Sequence, residues 1–211
     1  MVLKENLNII KDGFIEELDE INASLINLTK EIEWKLIMNF LKKSNLSRFY
    51  EMGIVYMFSI FEAFLKSYFF TLYREKPYLM KSKKKVKYEV ILKHDTMKSL
   101  IDNLAHNQTD QFGYMSLDDL NNFFKKRFKI DLKKNSSIWN GLHENYMRRN
   151  LIVHNYGKFS EEYFLSLGVL PKFLKGAKMP ITSDYLDRCN TRLVNLIERI
   201  NSSILENLNI N

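Results

Sequence analysis

The sequence predicts an all-α fold, a helical bundle, on three observations. Turn-forming residues are scarce, with 7 Gly and 3 Pro in 211 residues. Apolar residues make up 45% of the chain, enough for a packed core. Those residues recur every three or four positions over long stretches, which is the period of a helix with one buried face. The length suits a single domain over 1–211, with residues 78–135 as an insertion or elaboration within it.

The first segment, 3–41, reads as one long helix or a broken pair. Leu3, Leu7, Ile10, Phe14, Leu18, Ile21, Leu25, Leu28 and Ile32 form a seam that suits packing within the domain or against a second copy. A second helix covers about 46–76 and stops at Pro77, which has no amide proton to continue it. Residues 78–87 read as a basic linker, 88–105 as a helix and 106–113 as a loop. Ser116 followed by Asp119 is an N-cap signal for a helix over 117–128. Asn135, Ser136 and Ser137 offer caps for a helix over 138–156, and Gly157 stands where a left-handed terminator belongs. A short helix near 160–167, a loop over 170–180 and a last helix from Thr182 or Ser183 to about 208 complete the chain.

The run Ile54 to Phe70 is the most apolar stretch, so a membrane span has to be weighed. Glu62 and Lys66 would each oppose insertion by roughly 2.5–3.5 kcal/mol near a bilayer centre. They also form a favourable i,i+4 pair, and a buried central helix explains the run better. Cys189 is the only cysteine, so no intramolecular disulfide exists, and nothing around it marks a nucleophile. Met1 to Asn6 lacks the charged-then-apolar pattern of a secretory leader. The expectation is a cytoplasmic protein with no membrane association.

The net charge is +7 and unevenly spread. Residues 1–33 hold eight acids against three lysines, while Lys81, Lys83, Lys84, Lys85 and Lys87 form one basic cluster and Lys125 to Lys134 another. Such clusters are either solvated surface or a footprint for a polyanion.

The stretch Arg148-Arg149-Asn150-Leu151-Ile152-Val153-His154-Asn155-Tyr156-Gly157 carries the chemistry. Arginine grips a phosphate with a planar fork of donors, and histidine exchanges a proton near neutral pH. The bare Arg-x4-His spacing is a weak signal; the polar Asn150 and the Asn155-Tyr156-Gly157 tail strengthen it. Arg-Asn-x-x-x-His on a helix of a small, basic, all-helical protein resembles the HEPN superfamily (higher eukaryotes and prokaryotes nucleotide-binding). Its motif is Arg, four to six residues, then His. Arg149, Asn150 and His154 match it, and His154-Asn155-Tyr156 matches the His-x-Tyr extension of the branch paired with nucleotidyltransferases.

The resemblance implies a HEPN-like bundle with additional helices, homodimeric through its motif helices. It also implies a metal-independent endoribonuclease of toxin–antitoxin or phage-defence systems, with RNA as substrate, no cofactor and a nucleotidyltransferase-type antitoxin as partner. Arg149, Asn150 and His154 would be catalytic, with Arg148, Tyr156 and Glu62 as substrate contacts or polar partners. If such an antitoxin exists, Tyr156 would be its modification target.

The bland alternatives are a packed His154, an Arg149 paired with Glu62 or a carbonyl, and a packing Tyr156. Trp34 and Trp139 read as core, and His94 and His106 as surface. His143 has no partner at metal-ligand spacing. Helix geometry sets Arg149 about 140° round the axis from His154. The two side chains converge only if the helix bends, the arginine wraps, or a second protomer completes the site. Two competing functions follow: a non-catalytic helical module binding RNA, a nucleotide or a protein, and a dimerisation domain built on the 3–32 seam.

Overall fold

Few turn residues and long apolar periods give eight α-helices among the described residues, joined by short 3-10 turns. The computed structural model describes residues 2–32, 43–80, 85–134, 136–168 and 175–210. The helices are α1 Val2–Ile32, α2 Lys43–Glu75, α3 Tyr88–Leu92, α4 Met97–Thr109, α5 Leu117–Phe128, α6 Ser136–Asn155, α7 Glu161–Leu167 and α8 Ser183–Asn207. The expected continuation of the first helix over 33–41, the placement of Trp34, the Asn135 cap and Lys81, Lys83 and Lys84 lie outside the described residues.

The apolar helix α2 is the centre of the bundle. Ile54, Met57, Phe64, Tyr68, Phe69, Leu72 and Tyr73 are fully buried. The window Ser47–Glu75 is long and apolar enough to cross a membrane, yet over half of it is buried inside this fold. α1 packs along α2 and α8 through Leu7, Leu18 and the half-buried Ile10, Phe14, Ile21 and Leu25, so its seam is used within the chain. Polar rungs fix the register of α1 on α8: Asn201 Nδ2 donates to Asn8 Oδ1 (2.8 Å), Asn190 Nδ2 to Asp19 Oδ1 (2.6 Å) and Asn22 Nδ2 to Asp187 Oδ1 (2.9 Å). Gly53 lets α2 approach both neighbours. A Cβ there would sit 2.6 Å from Leu25 and 3.1 Å from Leu186.

Residues 78–135 join the same core through Leu79, Ala105, Phe112, Leu120, Phe124 and Phe128. Phe69 is the hub, with Phe112, Phe123, Phe124 and Phe128 all within 5.6 Å of its ring centroid. The expected single helix over 88–105 is two. α3 ends at Leu92, and α4 restarts at Met97, where Thr96 accepts the Ser99 amide proton. α4 then runs to Thr109, so residues 106–113 are helical and 3-10 rather than loop. Their apolar contacts, Phe112 on Phe69 above all, hold them in place of turn chemistry. The predicted caps at Ser116 and Thr182 form: their hydroxyls accept the amide protons of Asp119 and Tyr185.

Candidate functional site

The motif lies on α6, which the fold holds from two sides. Leu142, Asn145 and Leu151 are buried. Arg192 of α8 donates to Asn145 Oδ1 (2.9 Å) and to the Gly141 carbonyl (3.3 Å). On the other side Tyr146 meets Phe58 of α2 edge-on at 5.9 Å. α6 is therefore fixed in rotation as well as position.

That rotation turns Arg149 toward α2. Its Nη2 pairs with Glu62 Oε1 at 3.2 Å, and its Nη1 donates to Asn150 Oδ1 at 3.2 Å. The arginine thus wraps along its own helix to reach Asn150, and Glu62 sits beside it. Both members of the ion pair are only about a quarter exposed, and Arg149 Nε is buried with no hydrogen-bond partner among the described residues. Burial raises the Glu62 carboxyl above its ordinary range, while Arg149 and Lys66 pull it back down. The array Glu62–Arg149–Asn150 is a polar cluster in an otherwise apolar interface.

His154 lies about one and a half turns further along α6, roughly 7.5 Å up the axis. It is exposed and makes no hydrogen bond among the described residues. No contact joins Arg149 to His154 among the described residues; the guanidinium is engaged by Glu62 and Asn150 instead. Arg148 faces a third direction. It pairs with Glu144 (2.7 Å), donates to Tyr163 Oη (3.1 Å) and the Pro180 carbonyl (3.1 Å), and stacks over Tyr185 at 4.3 Å. These partners occupy its donors and tie α6 to α7 and the start of α8, where the sequence suggested a phosphate contact.

After Asn155 the chain turns sharply. Tyr156 and Gly157 are both left-handed, at φ 55° and 67°. Gly157 suits that conformation; a tyrosine does so only when its surroundings hold it there. The hold comes from residues the sequence did not single out. Lys178 Nζ bonds the Glu51 carboxylate (2.8 and 2.9 Å) and the Tyr156 carbonyl oxygen (2.9 Å). The Met179 amide donates to the Gly157 carbonyl, and Lys158 and Lys178 form an isolated antiparallel bridge. As a result the Tyr156 side chain stands 85% exposed beside His154 instead of packing. No pattern pairs position 51 with 178; the one signal was Glu51, an acid on the most apolar helix.

The remaining candidates fall elsewhere. His94 is held between Ser99 and Asn103, and His106 edges onto Phe70. Trp139 and Cys189 are buried. Among the described residues no group of three or more His, Cys, Asp or Glu stands together. In the second basic cluster Lys125 pairs with Asp131 and Lys133 with Asp118.

Comparison with family models, with curated proteins and with solved structures finds no match to this chain. What the site can do must therefore be argued from its own geometry. It offers a guanidinium held by a carboxylate, an amide on that guanidinium, and one exposed imidazole a turn and a half away on the same rigid helix.

Proposed function

We propose that the protein is a HEPN-type, metal-independent endoribonuclease acting in the cytoplasm, in toxin–antitoxin or phage-defence growth arrest. The observation that carries this reading is the Glu62–Arg149–Asn150 cluster, with exposed His154 on the same helix. Cleaving RNA by its own 2′-hydroxyl needs a base for that hydroxyl, an acid for the departing 5′-oxygen and a cation for the phosphorane charge. One protomer supplies one motif imidazole, and its arginine is engaged by Glu62 and Asn150. A two-fold dimer with facing α6 helices would bring two His154 and two Arg149 into one cleft.

In that cleft His154 of one protomer takes the 2′-hydroxyl proton while the other protonates the 5′-oxygen. The products are a 2′,3′-cyclic phosphate and a 5′-hydroxyl. Arg149, oriented by Glu62, grips the phosphate, and Asn150 fixes the guanidinium. Tyr156 stands at the mouth to contact substrate, and would be the modification target of a nucleotidyltransferase-type antitoxin. The test is cleavage of single-stranded RNA and tRNA in EDTA by wild type and His154→Ala, with sedimentation to read the oligomeric state. Cleavage by wild type alone, from a dimer, is the expected result. No cleavage of any of several RNAs by pure wild type sinks the proposal.

A non-catalytic RNA-, nucleotide- or protein-binding module is the second reading. It is favoured by the internal partners of Arg149, Glu62 and Asn150. Salt-dependent RNA binding without cleavage would select it.

A further inference from the structure

The basic segment before α3 is not explained by the Arg149 site. Where it is described, it borders a groove of about 400 Å³ between the Pro77–Met80 turn, residues 85–90 and α4. That volume falls in the range of small-ligand sites. Half-buried Met80, Val90 and Leu104 give it an apolar lining, and two exposed lysines, Lys85 and Lys87, line it as well. Asn107 and Gln108 add amides. Asn107 spends an amide proton on Asn103 Oδ1 (2.6 Å), which leaves its own oxygen free to accept. Among the described residues none of the side chains lining the groove is acidic. Tyr78 and Tyr88, both exposed, flank it in sequence.

Each part matches one part of a nucleotide. An apolar surface takes the face of a base, amides take its donor and acceptor edge, and ammonium groups take the phosphates on either side. A stripe on α2 runs from the motif to the face of α4 that packs on α2, and the groove opens on another side of α4. Glu62, Lys66, Phe70 and Arg74 follow at four-residue steps, meeting in turn Arg149, Gly113, His106 and Asp102. α4 therefore continues along α2 from the point where α6 meets it.

We infer that this groove binds one nucleotide of single-stranded RNA, apart from the site at Arg149. The choice of RNA rests on the function proposed above, but binding here requires no cleavage. The test uses the full-length His154→Ala protein, a fluorescent single-stranded RNA of about twelve nucleotides, and Lys85→Ala/Lys87→Ala added to it. Both lysines are exposed, so the exchange leaves the core intact. The expected result is affinity weakened about tenfold, and a log–log salt slope reduced by about 1.4, at roughly 0.7 for each phosphate no longer neutralised. A 4-thiouridine RNA should cross-link to peptides carrying Met80, Lys87 or Asn107.

Unchanged affinity and slope, cross-links elsewhere, or no RNA binding at all would overturn the inference. Wild type that cross-links in the groove yet cleaves nothing would instead defeat the ribonuclease proposal and leave this one standing. Cleavage with no effect of the lysine exchange on binding would do the reverse.

Discussion

Lys178 reaches back 127 positions to Glu51, and the pair clamps the turn that ends the motif helix. The Glu51 side chain is 9% exposed, so removing its cation leaves a buried carboxylate unpaired. Lys178→Met is expected to destabilise the fold by about 1–3 kcal/mol in urea unfolding. Glu51→Gln/Lys178→Met should recover part of that loss, because the neutral amide no longer needs a cation. A double variant as unstable as the sum of the singles would show that the pair does not act as a unit.

Gly157 lies under the same clamp. Its φ of 67° is left-handed, and an added Cβ would stand 2.7 Å from Lys178 Nζ and 3.3 Å from a Glu51 oxygen. Gly157→Ala is expected to cost about 1–2 kcal/mol from backbone conformation, with a further loss from displacing the lysine. Thermal unfolding of Gly157→Ala against Gly168→Ala checks this. Gly168 is also left-handed, but an added Cβ there meets nothing within 4 Å, so the difference reads the clamp alone.

Glu62 makes stability depend on pH in a defined direction. Its carboxyl is raised above the ordinary 4.5, chiefly by desolvation. The folded state therefore holds the proton more tightly than the unfolded chain. That contribution is full below about 4.5 and is lost as pH rises through the elevated folded value. Glu62→Gln should flatten the melting-temperature profile over this interval relative to wild type. Parallel profiles would contradict the assignment.

The guanidinium fork makes a separate prediction. Arg149 uses two different nitrogens for Glu62 and Asn150. Arg149→Lys keeps a charge but cannot span both acceptors. The RNA cleavage proposed above should fall at least about tenfold in kcat, the loss of roughly 1.4 kcal/mol of transition-state stabilisation, while the melting temperature changes little. Activity equal to wild type would show that charge alone suffices.

Phe69→Ala should cost about 3–5 kcal/mol, since the ring is fully buried against four other phenylalanines. Tyr114→Ala, at a side chain 90% exposed, should stay within about 0.5 kcal/mol. Urea titration of both variants compares them directly.

Much of the helix pattern was legible because local rules govern it. The Ser116 and Thr182 caps, the stop before Pro77 and the short α7 all follow from residues within one turn of each other. The break between α3 and α4 was missed because Thr96 caps a helix inside a segment with no Gly or Pro to mark it. The site was legible in part. An Arg149 paired with Glu62 was one of the readings the sequence allowed, and that pair is present. The internal partners of Arg148 and the Glu51–Lys178 clamp were not legible, because they join positions that no periodicity relates. The exposure of Tyr156 depends on that clamp, so it was hidden for the same reason.

The asparagine rungs between α1 and α8 join residues 165 to 193 positions apart. Contacts that distant form only after residues 187 to 201 have left the ribosome. α1 can dock on α2 early, since those helices are neighbours in sequence, but the apolar side it gives to α8 stays uncovered until α8 has emerged. α6, which Arg192 of α8 holds in rotation, also waits for that last helix. Synthesis order thus makes the Arg192 hold on α6, and with it the setting of Arg149 against Glu62, wait for α8.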